Sequence, residues 1–376
     1  MAKEEKNPLA EALAEFNNYE EPKVITLKSK VLNGILNGGL PEGSVIQFAA
    51  GSGTGKSTIA LDISRELCQQ NYKVLYIDAE KGINKSQLKG TSILPYLGNT
   101  KKNQGSFNIV KEYDCNKVKQ VIEAVCPKNK NGTCAKRLVD CIVLDSIGAL
   151  DSGIYNTSNA SINNIKVGGH TKSIKALVMF INGIAIDYGI TFILINHTLK
   201  DIGSFFPTEH IVGGDTPKFL SDVVIKLKTS GSPICNAEGV PMAQKITAEA
   251  VKSRLGPGKV KVPFYVLLGK GISNLYTYRD ILETMDTEYD GKKVKILTIT
   301  AGSSLNHLYL NGQDYTFAKK DDAVKMIAQH YAEVDKLIPQ DMFLLNNSDD
   351  SDNTSVTSIT QNNDDELDEI EDLANE

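Results

Sequence analysis

The chain has 376 residues, of which 41% are hydrophobic and 23% charged, a composition typical of a soluble globular protein with a sizeable core. Its longest apolar stretches, such as residues 192–195, are too short to cross a lipid bilayer. No apolar segment follows the charged residues 1–6, as it would in a secretory signal. We therefore expect a cytoplasmic protein that makes no membrane contacts.

The net charge of −5 is distributed unevenly along the chain. Twelve acids and no lysine or arginine follow Lys336, so the 34 acids before that point face all 41 bases, a net charge of +7. A basic body with an acidic tail is common among proteins that handle nucleic acid. The alternative is a tail that only keeps the protein in solution. Residues 346–376 have too few apolar side chains to fold alone, which predicts a disordered tail.

The cysteines have no Cys-x-x-Cys spacing, and some lie in apolar surroundings. They are Cys68, Cys115, Cys126, Cys134, Cys141 and Cys235. This arrangement favours reduced structural cysteines over a metal site or a disulfide framework.

The first predicted elements alternate between helices and short apolar strands. Residues 8–16 carry Leu9, Leu13 and Phe16 on one face and predict a short helix. Strands are predicted at residues 45–49, 74–77, 141–144 and 192–195, with helices between them, notably at 57–70 and 174–186. This alternation is typical of a mostly parallel sheet covered on both faces.

The later part of the chain changes character. Three β-rich runs at residues 222–228, 245–252 and 261–268 predict an antiparallel extension of the sheet. Helices near 278–285 and 321–338 predict a small mixed α/β domain. The predicted fold class is therefore α/β, divided into an N-terminal helix and linker (1–38), a core (39–274), a small C-terminal domain (275–345) and an acidic tail (346–376).

A glycine-rich turn between the first of these strands and its helix predicts a phosphate-binding loop for ATP. The predicted nucleotide-binding residues are Ala50, Gly51, Ser52, Gly53, Thr54, Gly55, Lys56, Ser57 and Thr58. Glycines let successive backbone N–H groups point at phosphates, and the helix N-terminus adds partial positive charge. Lys56 is expected to reach the β- and γ-phosphates, and the Ser57 hydroxyl to bind Mg²⁺. Ala50 replaces the usual first glycine of this pattern.

Two carboxylates at strand ends extend this prediction from binding to hydrolysis. Asp145 follows an apolar strand and is expected to emerge beside the loop, where it can hold Mg²⁺ through water. Glu80 ends another strand, where it can orient the attacking water. The alternative for each acid is a polar residue that only ends a strand.

Six ordered motifs carry a resemblance to a known family. They are the phosphate loop, residues 77–80, residues 144–150, residues 195–198, Gly213-Gly214 and residues 251–254. Over about residues 35–275 the chain resembles the RecA family of recombinases, and particularly its phage UvsX branch. The resemblance implies a RecA-type P-loop ATPase core, with Glu80 as the catalytic carboxylate and Asp145 as the acid that ends the second nucleotide-binding motif.

The resemblance also implies roles for three further residues. His197, which occupies the position of a glutamine in bacterial RecA, corresponds to the residue that senses the γ-phosphate. Its alternative is a plain histidine at a strand end. Lys252 and Arg254 match two basic residues that reach the ATP of the neighbouring subunit in the family, so the catalytic set would be Glu80, Lys56, His197, Lys252 and Arg254. The aromatic residue that usually stacks on adenine is not evident, because Gln87 stands near that position.

Two segments match the DNA-binding loops of the family, at about residues 151–169 and 198–214. The DNA-binding residues so predicted are Lys166, Lys172, Lys200, Phe205, Phe206, Gly213, Gly214 and Lys218. Lysines suit phosphate contacts, and phenylalanine rings suit stacking on bases. For any single lysine, a solvated surface charge is an equally good interpretation.

The resulting hypothesis is an ATP- and Mg²⁺-dependent recombinase. It would form a helical homo-oligomer on single-stranded DNA, pair that strand with a homologous duplex and exchange strands, in the host cytoplasm if it is phage-encoded. Single-strand-binding protein and a loading mediator are further expected partners. The N-terminal helix would dock on an adjacent subunit or on its own core. The alternatives are a ring-forming DNA helicase similar to DnaB or RadA, and a non-catalytic coat or mediator that uses ATP only as structural glue.

Overall fold

The computed structural model describes residues 22–151, 169–200, 209–236, 238–256, 258–300, 305–339 and 342–343. The predicted helix at residues 8–16, most of the first predicted DNA loop, residues 201–208 of the second and the acidic tail lie outside these residues. Within the part that is described, no helix is long and apolar enough to span a membrane.

Helices and short strands alternate along the first half of the chain, as the sequence predicts. The helices are α1 (Lys30–Ile35), α2 (Lys56–Gln69), α3 (Lys85–Gly90), α4 (Cys115–Val125), α5 (Gly169–Tyr188), α6 (Asp215–Leu220), α7 (Asn274–Leu282), α8 (Asp322–Gln329) and α9 (Tyr331–Leu337). The strands are β1 (Val24–Ile25), β2 (Leu40–Pro41), β3 (Val45–Ala50), β4 (Lys73–Asp78), β5 (Ser106–Val110), β6 (Cys141–Asp145), β7 (Thr191–Lys200), β8 (Glu209–Ile211), β9 (Val223–Thr229), β10 (Ile234–Cys235), β11 (Pro241–Ser253), β12 (Lys261–Leu267), β13 (Gly271–Ser273), β14 (Asp286–Tyr289), β15 (Lys292–Lys295), β16 (Leu297–Thr298), β17 (Asn306–Leu310) and β18 (Gln313–Phe317).

One large sheet organises the molecule, with strands in the order β13-β12-β11-β9-β3-β7-β6-β4-β5. The strands from β9 to β5 in that order run parallel, whereas β11, β12 and β13 are joined by antiparallel pairing. This confirms the predicted α/β class, the mostly parallel sheet and the antiparallel runs that form β11 and β12. The run predicted at 222–228 forms β9, which pairs with β3 in parallel and with β11 antiparallel, so it belongs to the parallel part of the sheet. The central strands read as continuous apolar runs because both faces of the sheet are covered.

Two apolar layers lie on opposite faces of the sheet. On one face α2 buries Ile59, Ile63 and Leu67 with one set of strand side chains. On the other, α5 buries Ile174 and Ile181 with the alternate set. The alternation follows from the pleat, which directs successive side chains of a strand to opposite faces.

Two elements of the parallel half are absent from the sequence-based prediction, β5 and α4. The strand β5 lies at the edge of the sheet and is only partly buried, so its apolar signal is weak. A stronger signal for α4 is present: Asp114 caps its N-terminus by accepting hydrogen bonds from the backbone of Asn116 and Lys117, and Val118 and Ile122 face the core at helical spacing.

The residues after β13 form helices and small antiparallel sheets, as predicted for this region. Leu275 and Tyr278 of α7 belong to the same apolar core as the main sheet. An ion pair of 2.8 Å joins Lys30 to Asp335, whose carboxylate also accepts a hydrogen bond of 2.7 Å from the Tyr278 hydroxyl. The domain boundaries given above stay predictions.

The six cysteines are unpaired, and four of them are buried. Among the described residues, no group of histidine, cysteine and acidic side chains is arranged to hold a metal ion. The assignment of the cysteines as reduced and structural stays a prediction.

The buried carboxyl of Glu66 predicts a pH-dependent stability. Its Oε2 accepts a hydrogen bond of 2.7 Å from the Lys28 backbone, and burial with nearby Asp62 raises its pKa to about 7. Because the folded pKa lies above the unfolded value of 4.5, the free energy of unfolding should fall as pH rises between these values. At pH 8 the free energy of unfolding of Glu66→Gln, measured by urea titration, should therefore be higher than that of the wild type by roughly 1–3 kcal/mol.

The matched control is Glu288→Gln at an exposed position, which should leave the pH dependence unchanged. Parallel pH profiles for Glu66→Gln and the wild type would contradict the prediction.

Candidate functional site

The carboxyl ends of four parallel strands meet at one edge of the sheet. Ala50 at the end of β3 lies opposite His197 of β7, and Asp78 at the end of β4 lies opposite Asp145 of β6. Parallel strands point their carboxyl ends the same way, so residues distant in sequence converge at this edge. This register brings the predicted loop, Glu80, Asp145 and His197 into one site.

The glycine-rich turn has the backbone needed to cradle an anion. Gly53 and Gly55 have φ values of +74° and +85°, which residues with a side chain rarely adopt. Gly55 is the N-cap of α2 and provides no side-chain acceptor, so the first N–H groups of that helix remain available to a ligand. Ala50, the departure from the usual pattern, is fully buried at the end of β3 and packs in the core.

Lys56 lies over this turn. Its Nζ donates hydrogen bonds to the carbonyl oxygens of Gly51 at 2.8 Å and Ala50 at 3.3 Å. Burial lowers the pKa of Lys56, and the negative charges of Asp145 and Glu80 partly offset that effect. The ammonium is therefore held close to the backbone groups that would surround a phosphate.

Asp145 fits a divalent cation. Its Oδ2 accepts a hydrogen bond of 2.6 Å from the Tyr76 hydroxyl, whereas its buried Oδ1 has no hydrogen-bond partner among the described residues. Burial raises the pKa of Asp145, and the hydroxyls of Ser57 and Tyr76 lower it. An unsatisfied carboxylate oxygen beside the Ser57 hydroxyl is the hard oxygen environment that Mg²⁺ prefers.

Glu80 is held between two strands of the site. Its Oε1 accepts a hydrogen bond of 2.5 Å from the Ser146 hydroxyl and lies 2.7 Å from His197 Nε2. Burial would raise the pKa of Glu80, but the hydrogen bonds from His197 and Ser146 and the charge of Lys56 outweigh it, so its pKa lies below the usual value. The side chain is 39% exposed, which leaves it accessible to water.

His197 connects this carboxylate to the end of the second predicted DNA loop. Its carbonyl accepts a hydrogen bond of 3.0 Å from the Val212 backbone, and the Asn196 side chain donates one of 2.9 Å to the Val212 carbonyl. Gly213 and Gly214 follow directly, with φ values of +90° and +74°. A shift of His197 would therefore also move the backbone at the base of that loop.

Lys252 and Arg254 are held on the far side of β9. Lys252 Nζ donates hydrogen bonds to the carbonyls of Phe219 at 2.5 Å and Ser221 at 2.6 Å. Arg254 forms an ion pair of 3.1 Å with Asp222 while its side chain stays 53% exposed. Burial and the nearby charge of Arg254 lower the pKa of Lys252. Their hydrogen bonds join them to the end of α6 and not to the phosphate loop of the same chain.

The remaining predicted DNA-binding residues are only partly described. Lys172 and Lys218 have exposed side chains. The backbone of Lys200 pairs with Glu209 at the end of the β7–β8 hairpin. Lys166, Phe205 and Phe206 lie outside the described residues.

Sequence reasoning missed the contacts of Tyr76 and Ser146. Tyr76 lies within an apolar strand, and its hydroxyl reaches Asp145 only because β4 and β6 are neighbours. Ser146 follows Asp145 through a cis peptide bond and contacts Glu80 across the same strand pair. A polar group within a buried strand was the available signal for Tyr76.

The chain is similar to known proteins over part of its length. A family model described as "AAA domain" matches residues 23–203. The chain is 25% identical to Protein RecA of Fusobacterium nucleatum over 242 residues, which are 63% of this chain and 58% of that relative. It is 26% identical to Protein RecA of Mesoplasma florum over 308 residues, 78% of this chain and 84% of that protein.

A further match is the DNA repair and recombination protein RadB of Archaeoglobus fulgidus, 26% identical over 55% of this chain and 84% of that protein. The chain is thus similar to RecA and RadB proteins over part of its length. The alignment spans only 58% of the Fusobacterium relative, and the assignment to the phage UvsX branch stays a prediction.

The contact between Glu80 and His197 depends on a glycine. A Cβ added at Gly148 would lie 3.3 Å from His197 Cδ2 and 3.7 Å from Val212 Cγ1. Gly148→Ala should displace the imidazole from Glu80 and lower the rate of ATP hydrolysis about tenfold, since small misplacements of catalytic groups are costly. Affinity for a fluorescent ATP analogue should stay within about twofold, because the phosphate loop is untouched.

Gly183→Ala is the matched control, since a Cβ there meets no atom within 4 Å. Wild-type hydrolysis by Gly148→Ala would show that the imidazole position is unimportant.

Proposed function

We propose that this RecA-like chain is an ATP-dependent DNA recombinase that forms filaments on single-stranded DNA and catalyses homologous pairing and strand exchange. The observation that carries the proposal is the continuous path from Glu80 through His197 to Val212, at the end of the second predicted DNA loop. A nucleotide bound at the phosphate loop would therefore affect both Glu80 and Val212, the two ends of that path. The RecA and RadB relatives support the same conclusion.

ATP hydrolysis would use the groups that converge on the loop. Lys56 and the N-terminus of α2 would bind the phosphates, and Ser57 and Asp145 would hold Mg²⁺. Bound Mg²⁺ neutralises charge on the phosphates. Glu80 would orient water and accept its proton, since its lowered pKa keeps the carboxylate ionised and its side chain is accessible to water. His197 would donate a hydrogen bond to the γ-phosphate.

The basic pair Lys252 and Arg254 would act on the ATP of a neighbouring subunit. Arg254 is more than half exposed, and both side chains are braced by the end of α6. Cations held in this way can offset charge at a γ-phosphate presented by another chain. This arrangement requires a head-to-tail oligomer, which is open to helical growth.

DNA would contact the two predicted loops and their flanking lysines. Lys172 and Lys218 are exposed near the ends of these loops. Phosphate contacts would make affinity fall steeply with salt. The assignment to the phage UvsX branch, the location in a host cytoplasm and the expected partners, single-strand-binding protein and a loading mediator, belong to this proposal.

Glu80→Gln tests the role of the carboxylate. Glutamine keeps an oxygen acceptor for Ser146 but cannot take a proton, so hydrolysis should fall by about 10²–10⁴-fold while ATP binding is retained. Phosphate release with and without single-stranded DNA measures the loss. The control is Glu123→Gln, which changes an exposed acid on α4 and should leave the hydrolysis rate unchanged. Unimpaired hydrolysis by Glu80→Gln would remove Glu80 from the mechanism.

Mixing two inactive variants tests the action in trans. The double variant Lys252→Ala/Arg254→Ala and the single variant Glu80→Gln should each be inactive alone. In an equal mixture about a quarter of head-to-tail interfaces combine the intact halves, so about a quarter of the wild-type rate should return. A mixture as inactive as its components would place the basic pair outside the reaction.

Strand exchange is the decisive test of the function. Purified protein with ATP, Mg²⁺, single-stranded DNA and a homologous duplex should give joint molecules on gels and filaments in negative-stain images. Heterologous duplex is the control. Closed hexameric rings without joint molecules would favour the helicase alternative, and filaments that neither hydrolyse ATP nor pair strands would favour a passive coat.

A further inference from the structure

The short strand β8 is attached to the sheet from outside its main path. Among the described strands it pairs with β7 alone, in the register Thr198–Ile211, Leu199–His210 and Lys200–Glu209. Three residue pairs give a short hairpin little intrinsic stability, so its register depends on contacts at its two ends.

The end of β8 nearer the nucleotide is held by the path already described. Asn196 and His197 bind the backbone of Val212, directly after the strand. The opposite end begins at Glu209. There the Glu209 Oε2 lies 2.5 Å from Lys226 Nζ in an ion pair whose side chains are 24% and 17% exposed.

Lys226 follows three apolar residues of β9, next to the predicted phosphate loop. It lies opposite Ala49 of β3, one residue before the glycine-rich turn begins. Its neighbours Ile225 and Leu227 belong to the apolar core, so the pleat directs the Lys226 side chain to the other face of the sheet. Glu249, opposite Lys226 on β11, forms an ion pair with Lys261.

A lysine in this half-buried place is unfavourable for packing unless its charge is compensated. Removing one partner of such a pair leaves the other charge uncompensated. Separating the two side chains is therefore unfavourable. The pair therefore joins β9, which pairs with β3 next to the predicted phosphate loop, to Glu209 within the second predicted DNA loop.

We propose that Lys226 and Glu209 form a positioning pair that fixes the register of β8 against β7 and so couples His197 to the second predicted DNA loop. The pair does not touch the nucleotide site itself. Its role is to keep Val212 aligned with Asn196 and His197, so that a change at Glu80 reaches both ends of β8. The consequence for activity rests on the proposed DNA-dependent ATP hydrolysis.

Hydrogen exchange tests the positioning without any assumption about activity. Lys226→Met keeps the length of the side chain but removes its charge, and the amides of β8 and Val212 should exchange at least about tenfold faster in the full-length protein. The matched control is Lys228→Met, an exposed lysine two residues further along the same strand. Unchanged exchange at β8 in Lys226→Met overturns the proposal.

Steady-state kinetics test the coupling. In Lys226→Met and Glu209→Gln the hydrolysis rate without DNA and the KM for ATP should stay within about twofold of wild type, whereas the stimulation by single-stranded DNA should fall at least about fivefold. The charge-exchanged double variant, Lys226→Glu with Glu209→Lys, should recover most of the stimulation and the β8 protection. A merely structural role predicts instead a parallel loss of both rates, which would overturn the proposal.

The same experiments separate this inference from the proposed function. If DNA does not stimulate the wild type, the proposed function fails, while faster β8 exchange in Lys226→Met still supports the positioning role. If DNA stimulates the wild type and both single variants equally, the function stands and the coupling role of the pair is wrong.

Discussion

The hydrogen bond between Glu80 and His197 links the two halves of the site. Glu80 follows β4 and His197 lies in β7, and β6 separates these strands in the sheet. Backbone pairing of Ala50 with His197 joins the predicted phosphate loop to β7, and this 2.7 Å contact adds Glu80 to that connection. With it, the charge state and position of one carboxylate are tied to the backbone that leads to Gly213 and Gly214.

This contact depends on several ordinary features of the fold. The parallel pairing of β4, β6 and β7 aligns their carboxyl ends at one edge of the sheet. The absence of a side chain at Gly148 leaves room for the imidazole, and Ser146 supplies the second hydrogen bond to Glu80. The position of Glu80 is thus set by Ser146, which follows β6, and by His197, which lies in β7.

The charges of the site indicate which kind of ligand it favours. Burial disfavours the charged forms of Asp145 and Lys56, whereas hydrogen bonds favour the charged form of Glu80. A cation beside Asp145 and phosphates beside Lys56 would each relieve one of these unfavourable charges. The two buried charges, on Asp145 and Lys56, therefore favour a ligand that brings both Mg²⁺ and phosphate, as a nucleotide does.

Local sequence determined much of the fold, and part of the site. The α/β alternation, the central strands, α2 and the phosphate loop follow from short-range periodicity and glycine spacing, because these signals reside within about ten residues. The structure confirmed the strands predicted at 74–77 and 141–144 as β4 and β6. The roles of Glu80, His197, Lys252 and Arg254 came from resemblance and stay predictions.

Only the tertiary structure decided which side chains meet. The contacts of Tyr76 with Asp145, of Glu80 with His197 and of Lys226 with Glu209 all join different strands. Such contacts depend on strand order and register, which local periodicity does not encode. The sequence by itself therefore determined a glycine-rich turn between β3 and α2, which predicts a phosphate-binding loop. Sheet topology decided that its neighbours form a path from that loop to β8.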